Sequence, residues 1–192
     1  MTNVLLLGAT GSLAQVAIPE FLQIPQVKLT LFARSAQRLP DYPRSKKIAG
    51  NIFAEETLVE AMQGQDLVIA TLSGDLPAMA QSIVKAMHQT GVKRLIFVSS
   101  YGIYGEIAGR PGIPQILQPY RQAADIIEAS GLDYTIVRPG WFDNSANTSY
   151  QVFLKGQTVT GNDISRKALA HFFKQIILTP NLYSQANCAL VR

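Results

Sequence analysis

A short apolar run, Asn3 to Leu7, breaks directly into Gly8-Ala9-Thr10-Gly11-Ser12-Leu13-Ala14, and from Ser12 the pattern turns helical. A strand that ends in a glycine turn and runs into a helix gathers unpaired backbone N–H groups at one point, with no side chain in the way. A pyrophosphate carries two charges and must come close to the backbone, so it suits such a turn. In this reading Gly8 supplies the tight bend and Gly11 permits the close approach. Ala14 takes the third small position, where glycine is commoner, so that the helix packs on the strand. Thr10, Ser12 and Leu13 complete the candidate cradle. A glycine pattern alone is weakly diagnostic; its place after the first strand, before a helix and within a βαβ unit makes it specific for a dinucleotide. The competing reading is a glycine-rich turn that holds another phosphate ligand or none.

The end of the second strand bears on which dinucleotide. Val27 to Ala33 reads as that strand, and it is followed by Arg34-Ser35, with Arg38 one turn later and no acid between. A carboxylate here would bind the ribose hydroxyls of NAD, whereas arginine accommodates the 2′-phosphate of NADP. Arg34 and Arg38 are therefore candidate ligands of NADP(H), guanidinium being well shaped for a dianionic phosphate. The alternative is two ordinary surface arginines.

The rest of the chain alternates. Helices are predicted over Ser12 to Gln23, Glu55 to Met62, Leu76 to Gln89, Pro114 to Ala129 and Ile164 to Leu178. The first has Leu13, Val16, Ala17, Phe21 and Leu22 as inward positions. Strands are predicted over Ile48 to Ile52, Asp66 to Leu72, Arg94 to Val98 and Tyr134 to Val137. Strands apolar on both faces, alternating with helices of this length, predict a doubly wound parallel sheet in a three-layer α/β/α sandwich. One domain over residues 1–192 is expected, with a small C-terminal extension and residues 143–160 as a loop region over the active face. A chain of this length buries roughly 70% of its unfolded surface and needs no metal or disulfide staple.

The single cysteine, Cys188, lies in an apolar stretch and reads as a buried hydrophobe rather than a reactive thiol. The N-terminus lacks the pattern of a signal peptide, and no run approaches a membrane span, so no membrane partner and a cytoplasmic location are expected. The net charge of +4 comes from scattered cations. Their densest group, Arg44 to Lys47, has no interleaved aromatics, which argues against nucleic acid. No histidine–carboxylate or Cys/His cluster has metal-binding spacing, and His88 and His171 lie in helices away from the strand ends, so no metal is expected.

Several segments together resemble the atypical short-chain dehydrogenase/reductases, specifically the small NmrA-like or NAD(P)H-binding group. They are Gly-Ala-Thr-Gly at 8–11, Phe97-Val98-Ser99-Ser100, the run from Ser130 through Asp133-Tyr134-Thr135-Ile136-Val137-Arg138-Pro139-Gly140 to Trp141, and Ile164-Ser165-Arg166. The resemblance implies a Rossmann-like core with NAD(P) at the carboxyl edge of the sheet. By matching position, Leu72, Ser73, Gly74, Ser99 and Ser100 would border the ribose and nicotinamide, with Pro139 and Gly140 beside the nicotinamide ring. Asn51 falls where many relatives carry an acid near the adenine; an amide can still hydrogen-bond there.

The chain departs from the wider superfamily in the Tyr-x-x-x-Lys pair on the helix after strand five, where lysine lowers the tyrosine pKa for proton transfer. Here that segment reads Ile116-Leu117-Gln118-Pro119-Tyr120-Arg121-Gln122-Ala123-Ala124 and holds no lysine. Tyr101, Tyr104 and Tyr120 are the candidate substitutes, each with a plain packing role as its alternative. Three functions follow as expectations. One is NADPH-dependent hydride transfer to a small-molecule acceptor such as a quinone or flavin, which needs little help from a protein acid. Another is a non-catalytic NADP(H)-binding redox sensor that acts through a protein partner. The third is a sugar-nucleotide epimerase or dehydratase, for which the chain looks short. The resemblance also offers the helix Pro114 to Ala129 as a homodimer interface, although none of its residues selects that role.

Overall fold

The computed structural model describes residues 1–192. Ten strands and five α-helices follow in the order β1 (Thr2–Leu7), α1 (Ser12–Leu22), β2 (Val27–Ala33), β3 (Ser45–Ala49), α2 (Glu55–Met62), β4 (Leu67–Ala70), α3 (Leu76–Thr90), β5 (Arg94–Val98), α4 (Gln118–Glu128), β6 (Asp133–Pro139), β7 (Trp141–Asp143), β8 (Gln151–Leu154), β9 (Asp163–Ser165), α5 (Arg166–Leu178) and β10 (Ala186–Val191). Eight strands form one sheet in the order β3-β2-β1-β4-β5-β6-β10-β8, and β7 pairs with β9 in a separate two-stranded ribbon. All pairings in the large sheet are parallel except that of β8, which closes the edge antiparallel to β10.

The strands are apolar on both faces because both are covered. Val4 and Leu6 of β1 pack with α1 and α5, and Leu5 and Leu7 pack with α2, α3 and α4. Alternation along one strand thus feeds two cores, as the period of two requires. Along α1 the buried positions are Leu13, Ala14, Ala17, Ile18 and Phe21, while Val16 and Leu22 are half-buried at the edge of the same core. Helix ends follow local chemistry. The Asp75 carboxylate accepts from the Ala78 amide to start α3, and Gly91 ends it in the left-handed region at φ 74°.

Three segments depart from the sequence expectation. The third strand is Ser45–Ala49 rather than Ile48 to Ile52. Its start is pinned by Arg44, whose guanidinium donates to the carbonyls of Leu22, Ile24, Pro25 and Val27. The stretch 143–160 is not a loop throughout, since β8 lies within it and extends the sheet. This edge strand is only four residues long, Gln151-Val152-Phe153-Leu154, exposed at both ends, which is too short to show a period of two. The apolar C-terminal stretch enters the sheet between β6 and β8 as β10. No helix is long and apolar enough to cross a membrane.

Candidate functional site

Strand order reverses at β1, with β2 on one side and β4 on the other. The register brings the three strands out level, with Leu7 opposite Phe32 and Ala70. Gly8, Ala33-Arg34 and Thr71-Leu72 therefore leave the sheet side by side, at the switch point where ligands bind in open α/β sheets. Gly8 has φ +83°, and a Cβ there would overlap the Thr71 carbonyl oxygen. Two separate constraints thus exclude any side chain. Gly11 caps α1 with no side-chain hydrogen bond, and the first turn of α1 carries no acid. The amides of Ser12, Leu13 and Ala14 have no hydrogen-bond partner. These amides and the positive end of the helix dipole form a site for an anion.

A cleft of about 410 Å³ runs from this turn along the switch point. Gly8, Thr10 and Gly11 line its centre, and Leu72, Ser73 and Gly74 one wall. Arg34, Asn51 and Phe53 lie at the far end. Arg34 is its only charged lining residue, exposed and without an ion pair or side-chain hydrogen bond. Arg38 lies outside the lining, exposed on the 3-10 turn that follows β2. The Asn51 Oδ1 accepts from the Phe53 amide at 3.1 Å, which leaves its NH2 as the free end. Leu13 is buried in the core and, like Ser12, lies outside the cleft's lining. Thr71, Met79, Gly50 and Phe53 also line the cleft and were missed in the sequence reading; their only signal is that they follow or face strand ends.

A second pocket, about 1000 Å³, opens at the carboxyl ends of β5 and β6. Val98 of β5 stands opposite Val137 of β6, which places Ser99-Ser100 beside Pro139-Gly140. Its walls are largely apolar, with Ile113, Leu117, Trp141 and Phe142 among them. The charged lining residues are Arg110 and Arg166, with no acid and no lysine. Arg166 was noticed only as part of a segment, and no local pattern marked it. Its Nε donates to the Ser12 Oγ at 3.1 Å, which ties this wall of the second pocket to the residue that follows Gly11 of the first.

The three candidate tyrosines are separated by the structure. A 3-10 turn, Tyr101–Tyr104, follows β5, and residues three apart in such a turn share a face. Tyr101 and Tyr104 both turn toward β10 and not into open pocket space. Tyr101 is buried and its hydroxyl donates to the Asn162 Oδ1 at 3.3 Å, though its body still lines the pocket. Tyr104 lies outside both linings, which corrects its candidacy. Its hydroxyl accepts from the Asn187 Nδ2 at 2.8 Å, and the cations of Arg121, Arg138 and Lys155 stand 4.7, 5.0 and 4.5 Å from its ring centre. Burial and then the Glu128 charge push its pKa up, so it holds its proton. Of the three, Tyr120 alone lines the pocket with a hydroxyl that makes no hydrogen bond. The Ser99 hydroxyl is buried and donates to the Tyr120 carbonyl at 3.4 Å.

Comparison with known proteins agrees with this geometry. Residues 8–180 match the model of a family described as NAD(P)H-binding. A Rossmann-fold NAD(P)-binding family protein from Shigella flexneri is 38% identical, with a TM-score of 0.90 over 100% of this chain and 94% of that one. A Bacillus subtilis (strain 168) protein named as an uncharacterized sugar epimerase, YhfK, is 27% identical over 88% of this chain and 86% of its own. Phenylcoumaran benzylic ether reductase PT1 of Pinus taeda is 28% identical over 73% of this chain, which spans 49% of that protein.

Proposed function

The chain belongs to the NAD(P)H-binding family of atypical short-chain dehydrogenase/reductases, and from that premise we propose that it is an NADPH-dependent reductase of a flat, conjugated acceptor such as a quinone or flavin. The observation that carries the reading is the pair of adjoining pockets. A cleft whose only charge is Arg34 leads past the glycine turn into a roomy, largely apolar pocket without lysine or carboxylate. When bound, the dinucleotide supplies the hydride. The residues present fit it: the side-chain-free turn at Gly8 and Gly11 and the unpaired amides of Ser12 to Ala14 would hold the pyrophosphate. Arg34 stands where the 2′-phosphate of NADPH would lie.

In the second pocket the protein positions the acceptor against largely apolar walls. Trp141 and Phe142 offer ring surfaces on which a planar molecule stacks. Tyr120 has a free hydroxyl, but no lysine lines the pocket beside it. A ketone or aldehyde, whose alkoxide needs a proton as it forms, is poorly served by such a site. Quinones and flavins take up protons from water readily once reduced, so positioning suffices for them.

The test is a titration with NADPH and with NADH, followed by steady-state assays across quinones, flavins and aldehydes. Preference for NADPH with turnover of the conjugated acceptors is expected, and Tyr120→Phe should change that turnover less than about threefold, well below the 10²–10⁴-fold worth of a general acid. NADPH binding without turnover of any acceptor would sink the reductase reading and favour a redox sensor working through a protein partner. Turnover of a nucleotide sugar would favour the epimerase reading, to which YhfK gives its name.

A further inference from the structure

We propose that Arg166 is a ligand of the cofactor's pyrophosphate, a guanidinium clamp contributed from the far end of the chain to the glycine turn. The inference rests on the dinucleotide lying across that turn. Helices α1 and α5 share one face of the sheet and one core. Their starts adjoin, because Arg166 is the first residue of α5 and its Nε bonds the hydroxyl of Ser12, the first residue of α1. Helix starts carry partial positive charge, and neither first turn holds an acid.

A cation at this point is electrostatically out of place unless an anion joins it. None of Arg166's partners supplies one. Nε meets the Ser12 hydroxyl, and Nη1 meets the Asn144 Oδ1 at 2.8 Å and the Asp143 carbonyl at 3.4 Å. The nearby Asp143 carboxylate is taken by Arg192 at 2.8 Å. Nη2 makes no hydrogen bond at all. The guanidinium is nonetheless held in place, with its carbon 5.0 Å from the centre of the Phe142 ring. An oriented guanidinium with a spare donor edge, next to three unpaired amides, is built for a bidentate phosphate contact. The bonds to Asp143 and Asn144 hold the chain that follows Trp141 and Phe142 of the second pocket, so cofactor and acceptor wall are joined through this side chain.

The experiment compares calorimetric affinities of the wild type, Arg166→Gln and Arg34→Ala for three probes: NADPH, NADH and adenosine 2′-monophosphate, which keeps the 2′-phosphate and has neither phosphate of the pyrophosphate. Arg166→Gln is expected to weaken NADPH and NADH by a common factor of about ten or more, the worth of a lost charge-assisted hydrogen bond, and to leave adenosine 2′-monophosphate unchanged. Arg34→Ala should show the opposite pattern, weakening NADPH and adenosine 2′-monophosphate while sparing NADH. Equal loss for all three probes in Arg166→Gln would mean that the arginine only holds the fold together, and no loss would mean that it never touches the cofactor; either overturns the proposal. Arg166→Lys keeps the charge without the planar fork and serves if the glutamine variant does not fold. It should weaken both dinucleotides equally by a smaller factor, and unchanged affinity would overturn the assignment. A wild type that binds neither dinucleotide would instead refute the underlying cofactor reading.

Discussion

Gly8 and Arg34 show how much can rest on one side chain, or on its absence. At Gly8 the backbone is left-handed and the space for a Cβ is occupied by the Thr71 carbonyl. Gly8→Ala should therefore destabilise the fold by about 1–3 kcal/mol, the usual cost of a strained backbone, and lower Tm by several degrees in a thermal melt. Cofactor affinity should fall further than stability does, because the shift lands on the cradle itself. At Arg34 the backbone has no special demand and the side chain is free, so Arg34→Ala should leave Tm within about 0.5 kcal/mol of wild type. Its effect should appear in NADPH affinity alone, about tenfold or more by calorimetry, with NADH unaffected. Both residues were legible in the sequence, since each follows directly from its place at a strand end. Arg38 shares the sequence logic of Arg34 but not its position, because the 3-10 turn carries it out of the cleft lining.

Among the elements, α5 does the most that its sequence conceals. Its N-cap Ser165 accepts from the Ala168 amide at 2.9 Å and donates to the Asn147 carbonyl, so one buried hydroxyl starts the helix and anchors the loop before β8. Ser165→Ala is expected to cost about 1–2 kcal/mol in chemical denaturation, at the upper end for a helix cap because a second bond is lost. Because α5 lies on the face of α1, the route from β6 to β10 has the hand opposite to that of the other crossovers. The usual rule would have put α5 beside α3 and α4. In that arrangement Arg166 could not reach Ser12, and no side chain of the second pocket's lining would touch the start of α1.

Over the whole molecule, the one buried charge lies at the edge where β6 and β10 meet the loop after β5. Arg138, fully buried, pairs with Glu106 at 2.7 Å and bonds Asn187. Asn187 in turn bonds Tyr104 and Glu128, and Glu128 pairs with Lys155 at 2.7 Å. This network ties the wall of the acceptor pocket to the edge strands. Burial pushes the Glu128 carboxyl up, but hydrogen bonds from Lys155 and Asn187 and the charges of Lys155 and Arg121 outweigh it and hold it below its ordinary 4.5. A carboxyl depressed in the folded state contributes stability that is present above its ordinary pKa and is lost as pH falls through the folded value. Tm measured against pH should thus decline below pH 4.5, and less steeply in Glu128→Gln than in wild type. Cys188 sits inside this edge with its thiol pushed up to about 11 by burial, which keeps it protonated and inert near neutral pH.

What the sequence determined by itself is local and periodic. Alternating apolar strands and helices specify a layered α/β sheet, the Gly8-to-Ala14 turn specifies an anion cradle, and Arg34 follows from its offset from that turn. Each depends on near neighbours along the chain, where backbone geometry links sequence to position directly. The tertiary structure decided the rest. The edge strand β8, the insertion of β10 beside β6, the removal of Tyr104 from the pocket and the meeting of Arg166 with Ser12 all join residues distant in sequence. The last spans 154 positions. No local rule encodes such a contact, because it exists only once two helices pack on the same face of the sheet and their positive ends come together.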